Sequence, residues 1–398
     1  MSSNSVSDVN RPADLIPAVY ALLTVNVVGL QFSIALSSVA MGCAIALWFV
    51  DLGRKRWETF PRTPLDWIFL SYLGAEALAT VFSISPADSA VNMKRLLLIL
   101  NLYIVLSTVT NDARIMKIVG LTVLVASLLT LFEIITIPQI GGHFLRVSVF
   151  QYYLTEGGLK MFVLLMAAPF ILHHGTPLKW KVFFSASFAI LVVGLVITQT
   201  RSSWLGFLAG AVTIAILRNR WMLLAIIGLL VLFILFAPPD YKLRAVSMFD
   251  PGMKSNLSRI HMLTTGWKMF LDYPVTGTGD IDLRALYETY IVPIDSGEGG
   301  HLHNNFMMLL VTLGAVGFVV TTTMFAKIFI VELRASRDTR SHWLYGSITV
   351  GSLAAYVGFL VNGLFEWNLG DHEIAVFLWF TVGLALAAQR IAMGGADA

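Results

Sequence analysis

The residues best suited to chemistry lie in short polar segments that separate long apolar stretches. One segment places His301, His303 and Asn304 directly before an apolar run. An unperturbed imidazole titrates near pH 6.5, so its neutral form can accept a proton at neutral pH. We therefore interpret His303 as a candidate general base, with Asn304 and His301 in supporting positions. A water-exposed histidine at the start of a helix is the alternative interpretation.

A metal site is a second possibility for this segment, because a His-x-His pair can bind zinc. No third ligand follows at a characteristic spacing. Cys43 is the only cysteine, which excludes a cysteine-based metal site and an intrachain disulfide. We therefore expect neither a metal nor another cofactor.

Three arginines are candidates for binding an anion. Arg201 lies in the turn from Thr198 to Trp204, between two apolar stretches. Arg259 falls on the polar side of an amphipathic stretch, and Arg284 follows the turn Gly277–Asp280. A guanidinium group grips phosphate oxygens with two parallel hydrogen bonds and stays charged. The alternative for Arg201 is simple snorkelling to lipid headgroups.

The last polar segment, Phe365 to Glu373, carries three acids and no lysine or arginine. Its carboxylates could pair with the arginines or bind sugar hydroxyls, but we favour a solvated polar turn. Glu76 and Glu133 lie within apolar stretches, where either a role in a polar pathway or burial beside a partner fits the sequence.

The composition decides what kind of molecule must position these residues. Of 398 residues, 57% are apolar and 13% are charged, and the mean hydropathy is +0.77. Soluble domains carry about 25% charge, and disordered chains are far less apolar. The sequence therefore predicts an all-α polytopic membrane protein, with residues 1–398 forming a single integral membrane domain.

Helices that cross a bilayer need about 20 mainly apolar residues. We predict about twelve transmembrane helices, at 14–30, 32–50, 65–83, 92–109, 114–137, 155–173, 180–199, 203–217, 220–237, 304–331, 342–365 and 373–392.

Lysine and arginine set the orientation of these helices. With a cytoplasmic N-terminus, 16 of the 27 basic residues fall inside, whereas the short outside segments hold five and the long loop holds six. Both termini are therefore predicted to be cytoplasmic. Lys94 and Lys160 would lie outside against this trend, and we interpret them as snorkelling interface anchors.

Residues 238–303 form the one large loop, which this orientation places outside the cytoplasm. From Asn256 to Leu271 its apolar residues follow helical spacing, with Asn256 as the expected N-cap. This helix should lie along the membrane surface or cover the spans, and a second short helix is predicted near 282–290. Six cations against eight acids make a nucleic-acid partner unlikely on charge grounds.

These features together resemble a known family. The chain combines the turn Thr198–Ser203, one large external loop with Ser258-Arg259, a Gly277-Thr278-Gly279 turn, and His303-Asn304 entering a span that contains Gly314 and Gly317. This pattern resembles the O-antigen ligase and polymerase superfamily of bacterial inner-membrane glycosyltransferases, and within it most closely the O-antigen ligases.

The resemblance implies a function. Such ligases transfer a glycan from undecaprenyl diphosphate to a sugar hydroxyl of lipid A–core at the periplasmic face, with inversion and without metal or nucleotide. By the same resemblance, His303 is the base, while Arg201, Arg259 and, less directly, Arg284 bind the diphosphate. An O-antigen polymerase or a protein O-oligosaccharyltransferase would use the same donor. A transporter or flippase is the alternative from another class, but the two halves of the sequence show no similarity.

Overall fold

The computed structural model describes residues 14–136, 139–140, 143–144, 148–291 and 300–394. Arg146, Asp295, Glu298 and both chain termini lie outside the described residues. The helices are α1 Ile16–Gly29, α2 Ile34–Arg54, α3 Asp66–Val81, α4 Pro86–Asn92, α5 Leu100–Thr108, α6 Asp112–Thr136, α7 Tyr153–Leu172, α8 Leu178–Ile197, α9 Arg201–Arg218, α10 Met222–Phe236, α11 Pro239–Val246, α12 Lys254–Asp272, α13 Arg284–Tyr290, α14 Asn305–Asp338, α15 Trp343–Asn362 and α16 His372–Ala392. Two 3₁₀ segments occupy Met93–Ile99 and Ser247–Phe249, and a two-residue antiparallel pair joins Gln139–Ile140 to His143–Phe144.

The all-helical membrane architecture predicted from the sequence is confirmed for the described residues. Each of the twelve predicted stretches contains a helix. Eight of these helices are long and apolar enough to cross a membrane, counting α4, its 3₁₀ extension and α5 as one. Helices α1 and α10 are apolar but shorter. The chain is thus a multi-pass membrane protein, whereas a total of twelve spans and the position of the termini stay predictions.

Close contact between small residues fixes the helix that begins at Arg201. A Cβ on Gly206 would lie 2.7 Å from the Gly358 carbonyl oxygen, and one on Gly210 would lie 2.7 Å from that of Ala354. The backbones of α9 and α15 therefore touch, as small residues allow within membranes. Asn362, at the end of α15, donates to Ser203 Oγ at 3.1 Å. This interface sets the start of α9 beside the chain that follows α15.

The large loop has its own apolar core. The buried side chains that form it come from α12, α13, the adjoining turns and the start of α14: Met262, Met269, Ile281, Leu283, Tyr287, Leu302, Met308 and Val311. The second predicted helix is confirmed as α13. Helix α12 begins at Lys254 rather than after Asn256, so the predicted N-cap is wrong. Asn256 instead accepts a hydrogen bond from Arg201.

The predicted apolar face of α12 is largely exposed. Leu257, Ile260, Trp267 and Leu271 are 42 to 58% exposed, whereas Met262 and Met269 contact the loop core. Of the two sequence interpretations, this arrangement favours a helix that lies along the membrane surface, because an exposed apolar stripe is stable only against lipid.

A backbone contact joins the loop to a break in α14. Gly314 has φ +63° and interrupts the helix, and Gly277 has φ +73° in the turn that packs against it. A Cβ on either residue would clash with backbone atoms of the other segment. Thr278 and Gly279 donate their N–H groups to the carbonyls of Val311 and Thr312, both at 2.9 Å. The Gly-Thr-Gly turn thus satisfies backbone groups that the broken helix leaves free.

Lys160 forms a buried ion-pair cluster with two glutamates. Lys160 is 5% exposed, and its Nζ lies 2.8 Å from Glu133 Oε2 and also contacts Glu156. The expectation that Lys160 snorkels is therefore wrong, because its ammonium is neutralised inside the bundle. The same contact shows that Glu133 is a buried partner of Lys160.

Candidate functional site

The carboxylate of Glu366 connects two of the predicted site residues. Its Oε2 lies 2.9 Å from His303 Nδ1, and its Oε1 lies 2.6 Å from Arg259 Nη2. Ser202, the neighbour of Arg201, is 3.5 Å from the same Oε1. Glu366 is 7% exposed, whereas the side chains of His303 and Arg259 are 26% and 24% exposed, so a buried carboxylate faces two groups that solvent can still reach.

The turn that carries Glu366 is held by the two asparagines after His303. Asn304 caps α14 by accepting the N–H of Met307, and its Nδ2 donates to the Leu364 carbonyl at 2.8 Å. Asn305 is buried, donates its N–H to Gly363 and contacts Asn368 through its side chain. The asparagines therefore position the partner of His303.

His303 is held in an unusual conformation. Its φ is +45°, a region that non-glycine residues seldom adopt and that often marks a functional site. The preceding Leu302 is 1% exposed and is anchored in the loop core. An ionised carboxylate only accepts hydrogen bonds, so the contact with Glu366 places the proton on Nδ1. Nε2 then keeps the lone pair that a base needs.

Arg201 is the first residue of α9 and is 6% exposed. Its Nη1 donates to the carbonyl and hydroxyl of Ser247 at 2.9 and 3.1 Å. Its Nη2 donates to Ser255 Oγ at 2.8 Å and to Asn256 Oδ1 at 2.9 Å. These four hydrogen bonds to neutral oxygens fix the position of the guanidinium group. This contradicts simple snorkelling to headgroups.

Helix α12 brings Arg201 and Arg259 to the same region. Ser255 and Asn256, which contact Arg201, lie one turn before Arg259 and therefore on the same side of the helix. Arg259 thus contacts Glu366 from α12, and Arg201 lies beside Ser202, which is 3.5 Å from the same carboxylate.

Arg284 and His301 are placed differently. The Arg284 side chain is 66% exposed and lies 3.9 Å from Asp282, with no contact to Glu366 among the described residues. Its Nη2 lies beside Gly300, within reach of the loop that leads to His303. The His301 ring centroid is 4.3 Å from that of His303. His303 contacts Glu366 through Nδ1, and His301 lies beside this pair.

A second buried charge cluster lies behind the site. Arg95 Nη2 is 2.6 Å from Asp280 Oδ2 and 3.7 Å from Glu76 Oε1, and its guanidinium lies 5.3 Å from the centroid of Trp367. Glu76 is therefore a buried partner. Burial raises the pKa of Asp280 to about 6 even though Arg95 opposes the shift. Through Trp367, this cluster packs against the turn that holds Glu366.

A metal site requires several ligating side chains at one place. Among the described residues, no group of three His, Cys, Asp or Glu side chains is arranged to hold a metal ion. The expected absence of a metal from the reaction stays a prediction.

The site residue that sequence reasoning missed is Glu366. A solvated turn is the interpretation that the sequence favours, whereas Glu366 is buried and paired with Arg259, as in the alternative interpretation. The signal was the absence of any cation within this acidic turn, which requires charge compensation from another part of the chain once the turn is buried.

Residues 186–322 match the family model described as O-Antigen ligase. The match confirms the resemblance inferred from the sequence motifs, and it covers about a third of the 398-residue chain. It contains Arg201, Arg259, Arg284 and His303, whereas Glu366 lies beyond it. No curated protein matches the chain. The family match supports an enzyme that acts in a membrane.

Proposed function

We propose that this protein is a lipopolysaccharide O-antigen ligase of the bacterial inner membrane. It transfers a glycan from undecaprenyl diphosphate to a sugar hydroxyl of lipid A–core, at the periplasmic face, without metal or cofactor. The observation that carries the proposal is the carboxylate of Glu366 between His303 and Arg259, because it joins a base to a phosphate-binding cation.

His303 activates the acceptor. The acceptor hydroxyl donates to Nε2, and its oxygen attacks the anomeric carbon as the proton moves to the imidazole. Glu366 orients the ring and stabilises the imidazolium that forms, as the carboxylate does in other base-orienting pairs. A positioned base of this kind contributes about 10²–10⁴ in rate. A single displacement inverts the anomeric centre.

The arginines stabilise the leaving group. As the bond between the anomeric carbon and the phosphate oxygen breaks, negative charge builds on the diphosphate. Arg201 is held by neutral oxygens and Arg259 by one carboxylate oxygen, so both guanidinium groups are fixed before donor binds. Fixed cations stabilise a transition state because they need little reorganisation. Arg284 reaches toward the same loop from the exposed side and is proposed to bind the diphosphate there.

Both substrates carry lipid, so the site must be reached from the membrane. The exposed apolar stripe of α12, on the helix that carries Arg259, is suited to lie at the lipid surface. A donor held in the outer leaflet can then present its diphosphate to the arginines while its polyprenyl chain stays in lipid.

The proposal is tested by deleting the gene and separating the lipopolysaccharide on a gel. A ligase predicts core without O-chain, together with accumulated carrier-linked polymer. Core that carries one repeat unit would instead identify a polymerase.

A purified assay addresses the acceptor directly. The protein is incubated with the lipid-linked donor and, in parallel, lipid A–core, a glycan acceptor or a peptide. Transfer to lipid A–core alone supports the ligase. Transfer to the glycan or the peptide would assign the polymerase or the protein O-oligosaccharyltransferase.

A further inference from the structure

A basic cavity lies at the opposite end of α9 from Arg201. Arg201 and Arg218 are the first and last of the 18 residues of α9, so about 26 Å separates them along the helix, close to the thickness of the hydrocarbon core. The cavity has a volume of about 810 Å³ and is formed where α7, α9 and α14 end and α8 begins. It is therefore remote from His303.

The charge of this cavity is one-sided. Its lining holds four side chains that carry positive charge, two histidines, and no aspartate or glutamate; the four are Lys181, Arg218, Arg337 and Arg340. Within the described part of the chain, none of these four forms an ion pair with a carboxylate. Burial and, to a smaller extent, the positive charge of the neighbouring Arg218 lower the pKa of His173.

Arg218 supplies the decisive observation. Its Nη1 donates to the Arg340 carbonyl at 2.9 Å, but its Nε and Nη2 are buried and have no hydrogen-bond partner in the described structure. Nη2 packs closely over Gly346. Buried donors without an acceptor are costly, so a rotation of the side chain that turns this edge of the guanidinium away from Gly346 and onto two phosphate oxygens is favoured.

Two general effects explain part of this pattern. Basic residues are favoured on the cytoplasmic side of a membrane and at the C-terminal ends of helices. Both account for the sign of the charge. Neither accounts for a cavity between the helix ends or for buried guanidinium N–H groups that lack an acceptor.

The other wall of the cavity is apolar. Ile171, Leu172 and Met222 line it, and Trp221, which is 67% exposed, stands beside Met222 at the start of α10. None of the described residues of α10 is buried, so this helix presents its surface outward. Tryptophan is typical of the level of lipid headgroups. A ligand here would meet cations at its head and apolar surface along its chains.

We propose that this cavity binds the phosphate headgroup of an anionic phospholipid. Arg218 and Arg340 hold the phosphate oxygens, Lys181 and Arg337 add positive potential, and the acyl chains leave along α10. Basic pockets between helices on the cytoplasmic side bind such headgroups in other membrane proteins. The proposal does not depend on the glycan transfer assigned above.

The experiment uses the full-length protein purified in detergent and depleted of lipid. Phosphatidylglycerol or phosphatidylcholine is added, and bound lipid is counted by native mass spectrometry. We expect the unmodified protein to retain phosphatidylglycerol but not phosphatidylcholine. In the double variant R218Q/R340Q, bound phosphatidylglycerol should fall by about tenfold or more, the size expected when two basic contacts to one headgroup are lost. The single variant Arg218→Lys keeps the charge but loses the planar guanidinium group, so it should bind an intermediate amount of phosphatidylglycerol.

The matched control is Arg220→Gln, which removes the same charge two residues away, outside the cavity lining. It should retain phosphatidylglycerol as the unmodified protein does. An equal loss in this control, or equal retention of phosphatidylcholine, would overturn the proposal. Displacement of the lipid by millimolar inorganic phosphate would assign the cavity to a soluble phosphate. If the double variant is not monodisperse, Arg218→Lys alone decides.

Discussion

Glu366 lies 2.9 Å from Nδ1 of His303, although 63 residues separate them in the chain. The contact brings the turn after α15 to the residue that precedes α14. It fixes which imidazole nitrogen carries the proton, and the first prediction follows from it.

Replacing His303 with Ala should lower transfer by at least about a hundredfold, because the acceptor hydroxyl loses its base. Glu366→Gln keeps the shape but can donate to Nδ1, which would favour the wrong tautomer and lower the rate by a similar factor. The assay is glycan transfer by purified protein, with insertion checked by size-exclusion chromatography. His301→Ala should lose much less. A larger loss in His301→Ala than in His303→Ala would reverse the assignment.

Removing either Arg201, which is buried, or Arg259, which is half-buried, should slow the chemical step. Arg201→Ala and Arg259→Ala are each expected to lower kcat by about 10²–10³, the typical effect of removing one charge-stabilising contact. Arg284→Ala should lower kcat by a smaller factor, since the Arg284 side chain is 66% exposed. Single-turnover rates at saturating donor measure these effects. Lys242→Ala, a loop cation that bonds the Leu235 carbonyl, is the control and should keep the full rate.

Packing between α9 and α15 should be required for the site to assemble. Gly206→Leu forces the two backbones apart, and overpacking of this kind costs about 1–3 kcal/mol. We expect a lower thermal midpoint in detergent and a loss of transfer, because Ser202 and Glu366 separate. Gly228→Leu on α10, where a Cβ meets nothing within 4 Å, is the matched control. An unchanged midpoint in Gly206→Leu would show that the contact is not needed.

The pKa of Asp280 predicts a pH dependence of stability. It is about 6 in the folded protein against an ordinary value of 3.8, because burial disfavours the charged carboxylate. Because the pKa is raised, Asp280 contributes fully to the free energy of unfolding below pH 3.8, and this contribution is lost as the pH rises through 6. Unfolding of the unmodified protein should therefore become easier over this interval relative to Asp280→Asn, by up to about 3 kcal/mol. If the thermal midpoints of the two proteins change by the same amount between pH 3.8 and pH 6, the prediction is wrong.

Chelation of metal should leave transfer intact. The proposed base is an imidazole oriented by a carboxylate, and the leaving group meets guanidinium charge, so each step has a protein group assigned to it. Activity is measured before and after dialysis against EDTA. Strong inhibition that a divalent ion reverses would overturn this prediction.

The sequence predicted the helices and most of the candidate site because both depend on local patterns. Apolar runs locate helices whatever packs against them, and the motifs around Arg201 and His303 are short. Glu366 and Lys160 were misjudged for the opposite reason. Whether a charge is solvated or buried depends on partners from distant segments, here Arg259 and Glu133, and no local spacing encodes those contacts.

The contact between Gly277 and Gly314 has a consequence for the order of assembly. Residues 274–279 leave the ribosome before residues 311–316, so the two backbones can satisfy each other only after α14 has been synthesised. Until the turn has paired with the finished helix, the break in α14 exposes carbonyl groups that hydrocarbon cannot solvate. The turn at Gly277 must therefore bind α14 as this helix enters the membrane. The loop that carries Arg259 thus supplies hydrogen bonds that α14 needs to span the bilayer.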